Sequence, residues 1–139
     1  MAYIVRNIDV LDLKPSTGIG INIPFDGATG LNTTFTSIEA TKANLINFLL
    51  TGKNERVMNP SFGSGLRELM FNPLTEDLVD NIEEIIENGI STHFALIIIN
   101  NLQVNLLQES NTINIILDYS IKDTNIEDQL EININNAGI

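Results

Sequence analysis

Carboxylates are the commonest groups in this chain that could do chemistry: 18 acids stand against 7 bases, for a net charge of -11. Two carboxylates flanking a sugar cleft, one protonated and one ionised, can cleave a glycoside. Glu83, Glu84 and Glu87 supply the residue type. On a helix their spacing turns them toward solvent, opposite Ile82, Ile85 and Ile86, so they read as a solvated acidic face. Glu55, beside Arg56, reads as an ion pair or a hydrogen-bond anchor within a loop rather than as a general acid.

His93 is the one histidine, and the chain has no cysteine. Disulfides, thiolate metal sites and a His/Cys nucleophilic pair are therefore excluded, and a conventional zinc site would need several carboxylates. His93 reads as a junction or surface residue. Asp123-Thr124-Asn125, with Glu127 and Asp128, lacks the spacing of a calcium loop and reads as a turn between strands. Gly63-Ser64-Gly65 is no phosphate loop, because no Gly-Lys-Ser/Thr follows. The expectation is a non-enzyme with no catalytic residue, metal, cofactor or small-molecule substrate.

Bulk properties narrow the class. A chain of 139 residues, 43 % hydrophobic, fits one domain with its own core. The acidic balance repels phosphate backbones and anionic membranes, so neither nucleic acid nor membrane is expected as a partner. The opening Met1 to Lys14 carries Arg6, Asp9 and Asp12 and does not read as a secretory signal. No window approaches ~20 apolar residues, so folding in a cytoplasm is expected. Heavy use of Asn and Ile reads as A/T-rich coding.

The elements that would position these residues follow from periodicity and caps. Residues 1–35 read as an extended arm, with alternation from Gly18 to Phe25 broken at Pro24 and turn chemistry at Asp26 to Gly30. Thr36 and Glu39 form a T-x-x-E start signal for a helix over about 37–50, with Ile38, Leu45, Phe48 and Leu49 on one face and Gly52 at its end. A compact Gly/Pro/Phe loop follows, and Ser64 can cap a short helix carrying Leu66, Leu69 and Met70. Thr75 starts a second long helix to about Asn88, with Leu78, Ile82, Ile85 and Ile86 buried and Gly89 as its stop. Alternation then predicts strands over Phe94–Leu107, Ile113–Ile121 and around Leu130, Ile132 and Ile134. Asn100-Asn101 suggests a bulge in the first of these. The fold class is α+β: two amphipathic helices on one face of a small, mainly antiparallel sheet of three to four strands, with an extended N-terminal arm. Residues 1–139 form a single domain, with 36–90 its helical half and 91–139 its β half.

Several segments, in order, resemble the gene-25-like (GPW) baseplate wedge family of contractile tails. They are Ile23-Pro24-Phe25 and Gly30, Leu49-Leu50-Thr51-Gly52, Glu55-Arg56, Pro60-x-Phe62-Gly63-x-x-Leu66, Leu69-Met70-Phe71-Asn72-Pro73, and Asp118-Tyr119-Ser120-Ile121. The resemblance implies a virion structural protein of the tail baseplate, assembled in the host cytoplasm. Its implied partners are other wedge subunits, which form a helical bundle core, and the tail sheath protein, whose first ring it would template. Two alternatives stand beside it: a peptidoglycan-cleaving tail lysozyme, and the equivalent subunit of a bacterial contractile injection or secretion system. The family usually carries a Glu-Pro-Arg triplet between the second helix and the next strand. Here the stretch is Thr92-His93-Phe94-Ala95, so that gripping role is not carried over to these residues.

Two candidate contact regions emerge. Glu55, Arg56, Pro60, Phe62 and Gly63 mark a loop that fixes the helices or meets a neighbour. Leu130, Ile132 and Ile134 mark a last strand whose open edge could receive a strand from another chain.

Overall fold

The computed structural model describes residues 18–21, 33–34, 36–124 and 126–135. Most of the expected arm, including Ile23-Pro24-Phe25, the turn at 26–30 and Gly30, lies outside the described residues, as does Asn125. The described elements run in this order: β1 Gly20–Ile21, β2 Thr33–Thr34, α1 Ser37–Leu50, α2 Leu66–Leu69, α3 Glu76–His93, β3 Ile97–Leu107, β4 Thr112–Ile121 and β5 Glu127–Asn135. β1 and β2 form a short antiparallel pair that touches α1.

The main sheet has the order β3-β4-β5, antiparallel throughout. Its register follows from the apolar phase. Ile97 and Ile99 occupy odd positions of β3, whereas Leu102, Val104 and Leu106 occupy even ones. Both sets can face one core only if a residue is inserted between them. The register does shift between Ile99, opposite Tyr119, and Asn101, opposite Asp118, which leaves Asn100 as the extra residue. The bulge expected at Asn100-Asn101 is therefore present.

On the inner face of the sheet lie Val104, Ile113, Ile115, Leu117, Tyr119, Leu130, Ile132 and Ile134. They pack against Leu45, Phe48 and Leu49 of α1 and Leu78, Ile82, Ile86 and Ile90 of α3. The helices thus cover one face of the sheet, and the fold is α+β as the sequence indicates. The outer face carries Ile98, Leu107 and Ile116 but is otherwise polar, and it is cross-linked by amides. Asn114 Nδ2 donates to Glu131 and to Asn133 at 2.8 Å, and Gln129 Nε2 donates to Asp118 at 2.7 Å. Asn101 Nδ2 also donates to Asp118, at 3.3 Å, and Asn105 Nδ2 to Asn114 at 3.4 Å. Asparagine read from composition as coding bias is thus placed, strand by strand, in a hydrogen-bonded lattice.

α1 starts as expected, with Thr36 Oγ1 accepting from Glu39 N–H at 3.4 Å. α3 runs past its expected end to His93. The reason lies at Gly89, whose ideal Cβ would stand 2.3 Å from Cζ of Phe48. Gly89 is therefore a close-packing position inside the helix, where α3 admits the Phe48 ring, and not a stop. Extension of α3 carries Ile90 into the core and His93 into the last turn.

Candidate functional site

The loop between α1 and α2 is built onto the end of α1. The last carbonyls of a helix have no partner inside it and must find one outside. Here the returning loop supplies them. Ser64 N–H donates to Phe48 O at 3.2 Å, Ser64 Oγ to Leu49 O at 2.7 Å, and Gly65 N–H to Thr51 O at 3.4 Å. Ser64 Oγ also accepts from Leu66 N–H at 3.3 Å, so one buried hydroxyl joins α1 to the first turn of α2. The cap position itself is Gly65, at φ 69°. Ser64 therefore caps α2 from one residue further out than the usual geometry.

Gly63 permits the close return. Its φ is 118°, and a Cβ there would stand 2.7 Å from both Thr51 O and Gly52 O. Glu55 accepts from Gly52 N–H at 2.9 Å, which makes it the loop anchor. Arg56 lies over the Phe62 ring, its guanidinium carbon 4.1 Å from the centroid. Phe62 meets Phe48 edge-on at 5.4 Å and His93 at 5.4 Å, and Phe48 also meets His93 at 5.5 Å and Phe94 at 5.6 Å. Offset and edge contacts of this kind favour ring pairs beyond their buried area. His93 is thus held in an aromatic cluster at the end of α3, half-buried, rather than at a free junction. Pro60 closes the loop by accepting from Asn54 N–H at 2.9 Å, with Asn54 at φ 65°.

The five loop residues are therefore brought together, but on different surfaces. Gly63 is buried, Phe62 is half-buried, and Glu55, Arg56 and Pro60 are exposed. Composition gave no signal for Val57 and Met58, which stand 94 % and 96 % exposed at the tip of the same loop.

Leu130, Ile132 and Ile134 point into the core, at 2 %, 6 % and 1 % exposure. Among the described residues β5 pairs with β4 on one side and has no strand on the other, at the end of the sheet order. Lys42 of α1 and Asp128 approach to 3.4 Å, and Tyr119 Oη donates to Asp128 at 3.2 Å, so the start of β5 is tied down.

Two surface hollows flank α3. One, of about 510 Å³, lies between the loop and the helix, with Lys53, Gly63, Glu84, Asn88 and His93 in its wall. The other, of about 470 Å³, is lined by Glu83, Glu87, Ile90, Ile97, Ile99 and Asn101. Glu83 is half-buried there instead of fully turned to solvent as the helical pattern suggests. Glu83 and Glu87 are i and i+4 on one helix, so they share a wall of the hollow. Among the described residues no three His, Asp or Glu side chains cluster as metal ligands, and no helix is long and apolar enough to cross a membrane.

The fold is similar to that of a Geobacter sulfurreducens protein provisionally described as a tail lysozyme. That crystal structure superposes at TM-score 0.64 with 21 % identity, covering 75 % of this chain and 96 % of the other. It is also similar to a chain of the anti-feeding prophage baseplate solved by cryo-EM, at TM-score 0.56 and 21 % identity, covering 94 % and 93 % of the two chains. No curated protein matches the sequence. The model of the family described as baseplate wedge protein gp25 matches residues 36–126, well over half of the chain and all of the loop and helices described above, and this chain belongs to that family.

Proposed function

We propose that this chain is a non-enzymatic structural subunit that binds the wedge core of a contractile tail baseplate and templates the first sheath ring through the edge of β5. The observation that carries this is the construction of β5. Its apolar side chains are committed to the core, while its outer backbone groups have no strand beside them among the described residues. An edge of that kind takes an added strand through backbone hydrogen bonds. Glu127, Gln129, Glu131 and Asn133 alternate with the buried residues and keep the edge soluble until a partner arrives. The other proposed partners are wedge subunits meeting the loop of Glu55, Arg56, Pro60, Phe62 and Gly63. The whole chain acts as one domain in the baseplate, with no role for nucleic acid, membrane or small molecule.

Removing β5 would unfold the core, so the test is a proline scan across Asp128 to Asn133. Variants that melt like the wild type are those whose lost N–H points away from β4. They are expected to lose recruitment of sheath protein. Full recruitment by every such variant would refute the docking edge.

The lysozyme alternative finds little support in the carboxylates. Glycosidases place their two carboxyls on opposite sides of the scissile bond. Glu83 and Glu87 rise from one helix, and the facing wall carries Ile97, Ile99 and Asn101. A peptidoglycan zymogram with Glu55, Glu83, Glu84 and Glu87 changed singly tests this: activity lost in a single variant would favour the enzyme. The equivalent subunit of a bacterial contractile injection or secretion system would have the same structural role. The genes beside this one would distinguish the two settings.

A further inference from the structure

Resting on the wedge-subunit reading, we infer that Val57 and Met58 are the anchor by which the loop after α1 inserts into an apolar pocket, acidic at its rim, on a different wedge subunit. Two large apolar side chains at 94 % and 96 % exposure sit next to each other in the chain. They do not hang on a slack segment. Asn54 N–H reaches Pro60 O at 2.9 Å across the base of the tip, Glu55 accepts from Gly52 N–H, and Arg56 is laid on Phe62. A loop already held in shape loses less entropy on binding, which favours its use as a projecting anchor.

Charge selects the partner. From Lys53 to Glu68 the chain carries Lys53, Arg56 and Arg67 against Glu55 and Glu68, a net +1 in a protein of net charge -11. The carboxylate of Glu55 is turned back to Gly52 N–H. The tip is thus the basic part of an acidic molecule, and its complement is an acidic rim around an apolar recess. The occupant inferred is another wedge subunit bearing such a rim; a second copy and anionic lipid are separated from it by the test below.

Methionine oxidation tests this directly, because Met58 is exposed while Met70, at 4 % exposure, is a buried internal reference. The free chain and tails purified from producing cells are treated with hydrogen peroxide and the peptides read by mass spectrometry. Met58 is expected to oxidise far faster than Met70 in the free chain, and about tenfold more slowly in tails than in the free chain, since oxidation follows exposure. Equal rates for Met58 in both would overturn the inference while leaving the wedge role standing. Absence of the chain from purified tails would overturn both. Protection of Met58 on raising the concentration of free chain would assign the tip to a second copy, and protection by phosphatidylglycerol vesicles would assign it to lipid; either overturns the proposal. As a second arm, Val57→Ser with Met58→Ser is expected to leave melting unchanged and to abolish incorporation into tails, with Met58→Leu restoring it. Normal incorporation of the double serine variant would also overturn the inference.

Discussion

Gly89→Ala sets two physical rules against each other. In a helix interior alanine is favoured over glycine by about 1 kcal/mol. The structure predicts the opposite sign here. The new methyl would stand 2.3 Å from Cζ and 2.9 Å from Cε1 of Phe48. Carbon atoms rest comfortably at about 3.5–4.0 Å, so the ring must retreat by more than about 1 Å. It has nowhere to go: Phe48 is fully buried, with Phe62, His93 and Phe94 at 5.4, 5.5 and 5.6 Å between centroids. Overpacking of this kind costs about 3 kcal/mol, leaving a net loss of about 2 kcal/mol. For a domain of this size that is a fall of about 6 °C in Tm. Urea and thermal denaturation followed by circular dichroism would measure it. The same substitution in a Phe48→Leu background should lose most of its cost, giving a coupling energy of about 2 kcal/mol. A Gly89→Ala variant as stable as the wild type, or an equal loss in the Phe48→Leu background, would refute the close-packing account.

Phe62→Ala should destabilise by about 2 kcal/mol, less than full burial would give, because the ring is half-buried and loses Phe48, His93 and the Arg56 guanidinium together; denaturation midpoints check this. Gly63→Ala should cost more, about 3 kcal/mol, through its left-handed φ and the two carbonyls 2.7 Å from the new methyl; expression and Tm report it. Burial, then the charge of Asp128 and the hydrogen bond to it, hold the Tyr119 phenol well above its usual range. The folded state therefore keeps that proton where the unfolded state loses it, so stability is complete below about pH 10 and declines above it. In urea melts at pH 9 to 11.5 Tyr119→Phe should show a shallower decline, and an unchanged slope would remove Tyr119 as its source.

Much of the fold is legible in the sequence where one residue has one job. Thr36 is a cap, and the Asn100-Asn101 pair marks the bulge that lets Ile97 and Ile99 share a face with Leu102 and Val104. Legibility fails where one residue type serves two ends. Glycine marks helix stops and close approaches alike, so Gly89 is misread and α3 is expected to end too early. Asparagine counted as composition says nothing of register, and only the pairing of Asn105 with Asn114, and of Asn114 with Asn133, turns a bias into a lattice. In the candidate site, Phe62 and Gly63 announce an ordered loop by type. Val57 and Met58 do not, because apolar residues are ordinarily buried and their direction depends on how the loop closes. Leu130, Ile132 and Ile134 fall on β5, with their side chains in the core and, among the described residues, no strand on the side away from β4.

The amide lattice has a mechanical side. Tension applied along β5 would shear it against β4, and all pairs from Thr112–Asn135 to Ser120–Glu127 would bear the load at once. The rungs Asn114–Glu131, Asn114–Asn133 and Asp118–Gln129 would share that strain on the opposite side from the packed core. A strand stitched on one face by amides and clamped on the other by isoleucines resists sliding far better than it resists peeling, and so it suits a pull directed along its own length.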